Sequence, residues 1–342
     1  MKKSFKKNIV LLLVSIFVLF ILSEIILRIL GREPYKLELI DTIAKPGGKL
    51  FQPDSLLGYK NLPGEFEITI RQKLKFKATH LEVTGNRITH PTTSETLNNY
   101  KDEIWIFGGS SSYGWGVNDN ETYSWLLQNK FPEYEVVNFS VNGFGPLHAL
   151  IQFKEALKNK GAVKTVIFAY GSYQDRRSTA SRGRRKFFIG PWNKFGNYKQ
   201  PVAKINTEGK LEYQMEELTY SELPFMRYSA LIHTIEKAMI KIENNSLDIH
   251  GLSKKIIQEI NEIALNNNLK FIVAGIWNDV LTYEMIDYCK SIGINAVDAS
   301  VDLLLPGNSN RPYDEHPSFK AHKFYAEKIS TYLKDSIFIS ND

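Results

Sequence analysis

Cysteine is almost missing from this 342-residue chain. Cys289 stands alone, so no internal disulfide forms and no cysteine cluster holds zinc or an iron–sulfur centre. No internal repeat is visible. Glycine and proline, at 22 and 13 residues, are too few and too scattered for a collagen-like or wholly disordered chain. Acidic residues avoid one stretch. Residues 176–199 contain none, although Arg176, Arg177, Arg182, Arg184, Arg185, Lys186, Lys194 and Lys199 all fall there. What remains is a globular composition, 43% hydrophobic and 23% charged, with ample material for a core. The net charge of +6 is mild over this length, so its position along the chain matters more than its size.

Four lysines (Lys2, Lys3, Lys6 and Lys7) precede an apolar run from Ile9 to Leu22 that only Ser15 interrupts. After Ser23 and Glu24 the apolar character resumes to Leu30, and Glu24 and Arg28 lie four apart, the favourable order for one continuous helix. A cleaved signal peptide would share the basic start and the apolar stretch, but Ser23–Gly31 offers no Ala-x-Ala-like cleavage site. An uncleaved membrane anchor over Ile9–Leu30 is therefore the favoured expectation. The positive-inside rule then keeps the lysines cytoplasmic and places the rest outside, periplasmic or extracellular. Nucleic acid is not an expected partner there.

From Pro34 to about Asn99, short alternations (Phe66/Ile68/Ile70, then Leu74/Phe76/Ala78, then Leu81/Val83) predict a small β extension. From Glu103 onward, buried-strand patterns at Ile104–Phe107, Val136–Phe139, Val163–Ala169, Lys270–Gly275 and Asn295–Ala299 alternate with helical ones. The helices are expected at Thr122–Lys130, Leu147–Asn159, Tyr228–Ile242, Ser253–Asn266 and Thr282–Ser291, with Ser253 as an N-cap. Five such strands imply a parallel sheet covered on both faces, with its site at the carboxyl ends of the strands. Residues 176–227 break the alternation. Their arginines and lysines interleave with Phe187, Phe188, Trp192, Phe195 and Tyr198, which reads either as a solvated insertion or as a basic aromatic lip for an anionic or sugar-containing substrate.

Three loops carry candidate chemistry. Phe107-Gly108-Gly109-Ser110-Ser111-Ser112-Tyr113-Gly114 presents serines at the edge of the first strand. Asn138-Phe139-Ser140-Val141-Asn142-Gly143 follows the second strand, where a backbone donor to an oxyanion would sit. Asp314-Glu315-His316-Pro317 supplies a base and an acid two residues apart, as a serine nucleophile requires.

Together these blocks resemble the SGNH (GDSL-type) hydrolases from about Glu103 to Tyr332. The resemblance implies a flavodoxin-like α/β sandwich with a five-stranded parallel sheet. It implies Ser110 as nucleophile and oxyanion donor, Gly143 as a second donor, His316 as base and Asp314 as its orienting acid. Leu57-Gly58-Tyr59, Pro63-Gly64 and Gly85-Asn86-Arg87 resemble the region before this block in membrane-anchored members. Gly109 stands where the family has Asp. The third strand ends Tyr170-Gly171-Ser172-Tyr173-Gln174-Asp175 and lacks the family's Asn, so Gln174, with Asn142 as alternative, is the expected side-chain oxyanion donor.

The expected organisation is an anchor at 1–32, a β-rich extension at 33–100, and a hydrolase-like domain at 101–342 carrying the insertion 176–227. The expected function is serine esterase action on acyl esters, O-acetyl groups of an envelope glycan above all, without cofactor or metal. Arg176, Arg177 and Trp192 are the expected substrate contacts. An O-acetyltransferase acting on an envelope polysaccharide is the second reading. A non-catalytic glycan-binding scaffold is the third.

Overall fold

The computed structural model describes residues 2–37, 41–91, 102–158, 162–189 and 199–338. In chain order its helices are α1 (Lys2–Ile29), α2 (Ser110–Tyr113), α3 (Tyr123–Lys130), α4 (Pro146–Lys158), α5 (Arg182–Ile189), α6 (Ala230–Ser246), α7 (Ile249–Asn266), α8 (Val280–Ser291) and α9 (Phe319–Tyr332). Its strands begin with β1 (Thr42–Lys45), β2 (Phe51–Asp54), β3 (Gly58–Asn61), β4 (Gly64–Ile70), β5 (Leu74–His80), β6 (Asp102–Gly108) and β7 (Tyr134–Asn138). They continue with β8 (Val163–Tyr170), β9 (Lys199–Ile205), β10 (Leu211–Glu217), β11 (Lys270–Trp277) and β12 (Asn295–Val301). The chain forms two compact units. One comprises Met1–Leu39, Ser181–Gly196 and Thr219–Leu247, and the other Ile40–Ala180, Asn197–Leu218 and Asp248–Asp342.

The larger unit is built on five parallel strands in the order β12-β11-β8-β6-β7. Counted along the chain this is the 2-1-3-4-5 order of flavodoxin-like sheets, so the expected fold class is the one observed. Its core follows from alternation along apolar strands. Trp105 and Phe107 of β6 face one layer with Phe153, Ile256 and Ile260 of α4 and α7. Ile104 and Ile106 face the opposite layer with Leu127, Tyr325 and Ile329 of α3 and α9. Each large apolar side chain buried this way contributes about 1.5–3 kcal/mol, and the two layers cover both faces, as a parallel sheet needs.

Two expectations need correction. The helix read as starting at Ser253 starts at Ile249, because the Asp248 side chain accepts from the Gly251 N–H and caps a longer apolar stripe that includes Leu252. Ser253 is buried inside that helix, bonded back to the Ile249 carbonyl. Leu81 and Val83 form no strand; they lie in a turn closed by the Gly85 N–H on the Leu81 carbonyl.

The β extension is part of the larger unit. β1, β4 and β5 form an antiparallel sheet, and β2 pairs with β3. Arg87 follows this extension, and its buried guanidinium donates to the carbonyls of Lys77, Tyr113, Gly114 and Val117 and pairs with Asp119 at 2.8 Å. One charged side chain thus donates to four main-chain oxygens, and removing it would take a donor from each and the charged partner from Asp119, which the Thr79 N–H still reaches.

The smaller unit holds α1, α5 and α6. α1 is exposed from Phe5 to Leu22, and its stretch Phe5–Ile29 is long and apolar enough to cross a membrane. Its far end is fastened. Glu24 accepts from the Ser229 hydroxyl (2.8 Å) and from the N–H groups of Ala230 and Leu231 (2.9 Å each), at the start of α6. Arg28 donates to the Tyr228 carbonyl at 2.8 Å. Buried Glu236 of α6 pairs with Arg182 at 2.8 Å and with Lys186, and it accepts from the Tyr220 hydroxyl. Burial pushes the Glu236 pKa up, but these donors outweigh it and hold the carboxyl below its ordinary range.

Candidate active site

β6 delivers Gly108-Gly109-Ser110 to the carboxyl edge of the sheet, next to the end of β8. Strand order reverses between these two neighbours, the place where open α/β sheets hold their ligands. Three serines follow one another here, and hydrogen bonding distinguishes them. Ser112 Oγ is buried between the hydroxyls of Tyr123 (2.5 Å) and Ser140 (2.7 Å). Ser111 Oγ receives the Tyr173 hydroxyl at 3.1 Å. Ser110 Oγ meets His316 Nε2 at 2.8 Å.

The loop 310–317 supplies the rest. Asp314 Oδ1 lies 2.6 Å from His316 Nδ1 and accepts the His316 backbone N–H at 2.8 Å. That geometry puts the ring hydrogen on Nδ1 and leaves the Nε2 lone pair facing the serine hydroxyl. The two-residue spacing works because one carboxylate oxygen serves both nitrogens of the same residue. Burial raises the Asp314 pKa, but its bonds to His316 and to the indole N–H of Trp115 prevail, so the carboxyl is held below its ordinary range. The Trp115 ring lies 6.3 Å from the His316 ring, centroid to centroid.

Loop 142–145 forms the facing wall. Gly143 has φ of +83°, a conformation that side-chain-bearing residues rarely adopt, and a Cβ there would collide with the Tyr59 hydroxyl. That hydroxyl donates to the Asn142 carbonyl, and the Tyr59 ring packs edge-on against Phe144. Asn142 is buried, with Oδ1 lacking a partner among the described residues.

Two expected site residues take other places. Gln174 is fully buried, and its Nε2 donates to the Ala169 carbonyl (3.1 Å) and the Tyr173 hydroxyl (3.4 Å). These contacts hold the Gln174 amide at the end of β8, beside the Gly109 turn. Arg177 is not on an outer lip. It is buried, donates through Nη1 to the Phe144 carbonyl at 2.6 Å, and stacks over the Tyr173 ring at 4.8 Å. Arg176 is exposed, and Trp192 lies outside the described residues. The basic insertion is resolved into a 3-10 helix (Ser172–Ser178), α5, and the β9–β10 hairpin.

Trp115, Tyr59 and Arg87 shape the site through contacts that no sequence motif assigns to them. Trp115 stands between two glycines just past the serine block, the one local signal that it belongs to the site. Tyr59 and Arg87 lie in motifs already noted, but the Tyr59 partner is 83 residues away and, Lys77 apart, those of Arg87 are 26–32 away, beyond the reach of a local pattern.

No protein-family model matches the chain, and no curated protein matches it. Solved structures similar to it include a member of the lipolytic G-D-S-L family from Veillonella parvula, at 11% identity and a TM-score of 0.36, over 66% of this chain and 95% of that one. A family two carbohydrate esterase from Clostridium thermocellum, in complex with cellohexaose, is similar at 12% identity and a TM-score of 0.36 over 72% of this chain and 66% of that one. A psychrotrophic esterase from Pseudoalteromonas is similar at 12% identity and a TM-score of 0.35, over 68% of this chain and 98% of that one.

Proposed function

We propose that this chain is a serine esterase of the SGNH type, attached to a membrane by α1 and acting on acyl esters of carbohydrates. The observation that carries the reading is the unbroken series Ser110 Oγ–His316–Asp314, with contacts of 2.8 and 2.6 Å. Ser110 Oγ attacks the ester carbonyl carbon while its proton passes to His316 Nε2. The backbone N–H groups of Ser110 and Gly143 face the oxygen that becomes negative. Collapse breaks the bond to the alcohol, which leaves with the proton from His316. A water molecule then attacks the acyl-serine with His316 again as base, and the carboxylic acid and Ser110 are regenerated. Partly exposed Trp115 and Trp277, with exposed Tyr313 beside Asp314, offer flat apolar faces on which a sugar ring can stack.

The test is incubation with 4-nitrophenyl acetate, alone and with a polysaccharide acceptor, and then with an O-acetylated polysaccharide. A burst of nitrophenol followed by free acetate is expected, as is release of acetate from the polymer. Acetylation of the acceptor in place of free acetate would make the enzyme a transferase. No burst would remove the esterase reading, and one retained by Ser110→Ala would remove Ser110 from the role of nucleophile. For the anchor, the full chain is expected to stay with membranes through alkaline carbonate washing. Quantitative release of intact chain into the wash would count against it.

A further inference from the structure

Arg177 poses an electrostatic problem. A buried charge is ordinarily paired with an opposite one, yet no carboxylate among the described residues pairs with this guanidinium. Its neighbours are a carbonyl oxygen, an aromatic ring and glycines. Burial accordingly lowers its pKa from the ordinary guanidinium value, and arginine remains cationic even so.

Its position explains the exchange at residue 109. A Cβ on Gly109 would collide with Arg177 Nη1 and approach the Phe144 carbonyl to 2.8 Å. Arg177 therefore fills the space beside the serine turn that a side chain at 109 would occupy. From there Nη1 holds the carbonyl of Phe144, the residue after Gly143. Gly145 also packs on this side chain, since a Cβ there would lie 2.8 Å from Arg177 Cβ. The cation thus sits between the Gly109–Ser110 turn and loop 143–145, the two segments whose N–H groups would bind the oxyanion.

We propose that Arg177 is the positioning residue of the oxyanion site, fixing these two segments against each other and supplying the positive charge opposite which the tetrahedral intermediate becomes negative. The proposal rests on the serine-esterase reading. In the resting enzyme the guanidinium has no counter-charge. One appears only as the carbonyl oxygen becomes negative, so the interaction is stronger in the transition state than with bound substrate and acts on kcat. It also accounts for a site that lacks the family's Asn and whose Gln174 amide donates to the Ala169 carbonyl.

The experiment uses the full chain, 4-nitrophenyl acetate as substrate and phenylboronic acid as a reversible tetrahedral anion on Ser110. Arg177→Met, which keeps much of the volume and removes the charge, is expected to lower kcat by about 10²-fold with little change in KM. Phenylboronic acid should bind it more weakly by a similar factor, and Arg177→Lys should recover part of both losses. If Arg177→Met does not fold, Arg177→Gln is measured in its place, since it keeps a donor for the Phe144 carbonyl without the charge. Near-normal kcat and boronate affinity in the charge-free variant would overturn the proposal. So would equal impairment of the Lys and charge-free variants with boronate affinity unchanged. Failure of the underlying reading looks different: the wild-type enzyme would then show neither turnover nor boronate binding, or Ser110→Ala would retain both.

Discussion

Replacing Ser110 by alanine lowers turnover of an activated ester by a factor on the order of 10⁶, and replacing His316 by alanine does nearly the same. The reason is the single 2.8 Å contact between Ser110 Oγ and His316 Nε2. Without the hydroxyl there is nothing to acylate, and without the imidazole the hydroxyl keeps its proton and stays a poor nucleophile. Because the two act as one unit, the double variant should be hardly worse than either single one. Ser111→Ala and Ser112→Ala serve as controls, since neither hydroxyl reaches His316. Burst kinetics with 4-nitrophenyl acetate separate the cases: Ser110→Ala forms no acyl-enzyme, whereas Ser111→Ala should retain a full burst. A burst that persists in Ser110→Ala and vanishes in Ser111→Ala would move the nucleophile by one residue.

Asp314→Asn should lower kcat by about 10⁴-fold with little effect on stability. Asp314 Oδ1 accepts from His316 Nδ1, which fixes the tautomer that leaves Nε2 bare for the serine proton. An amide at this position offers its own N–H to Nδ1 and thereby favours the tautomer with its hydrogen on Nε2, the wrong atom for a base. The pH dependence is separable. The Asp314 carboxyl is held below its ordinary range, so what the charged form contributes is fully present above the ordinary carboxylate value. It is lost only as pH falls through the lowered folded value. In the pH profile of wild-type kcat/KM, loss of the Asp314 contribution should therefore appear only below the ordinary carboxylate range. Asp314→Asn retaining more than about a tenth of wild-type kcat would show that another group orients the ring.

The parallel sheet was readable because its central strands β6, β8 and β11 are short apolar runs, while the edge strands β7 and β12 keep only Val136–Val137 and the alternation of Ala296, Ala299 and Val301 with polar residues. The serine block was readable for a related reason: β6 runs straight into glycines, and the chain there has few ways to turn. α9 escaped because its stripe of Ala321, Tyr325, Ala326 and Ile329 has one aliphatic residue among small and aromatic ones, set between lysines. The roles of Tyr59, Arg87 and Arg177 were illegible for a different reason. Each acts on main-chain oxygens or glycines far along the chain, and a carbonyl has no letter in the sequence. Acid-free composition also misled. The acid-free residues 176–199 read either as a solvated insertion or as a lip for an anionic or sugar-containing substrate, yet Arg177 and Arg184 are buried, and Arg182 and Lys186 pair with Glu236, which lies about fifty residues downstream. The charge opposite Arg182 and Lys186 lies outside the acid-free stretch.

Glu24 has a consequence for how deeply the protein can sit. A polar clamp at Glu24 and Arg28 claims the far end of α1, so under the anchoring proposed above only Asn8–Ser23, between Lys7 and the clamp, remains for lipid. At about 1.5 Å per residue this stretch spans roughly 24 Å, somewhat short of the roughly 30 Å of a bilayer's hydrocarbon core. The helix therefore has no slack: sliding inward would carry the clamp and the first turn of α6 into hydrocarbon, and sliding outward would draw lysines after it. Depth is set from both ends. The same clamp ties the integrity of the N-terminal segment to that of α6. A proteolytic cut beyond Glu24 would remove the acceptor for two main-chain N–H groups and a hydroxyl, a loss of the kind that costs a helix start about 1 kcal/mol.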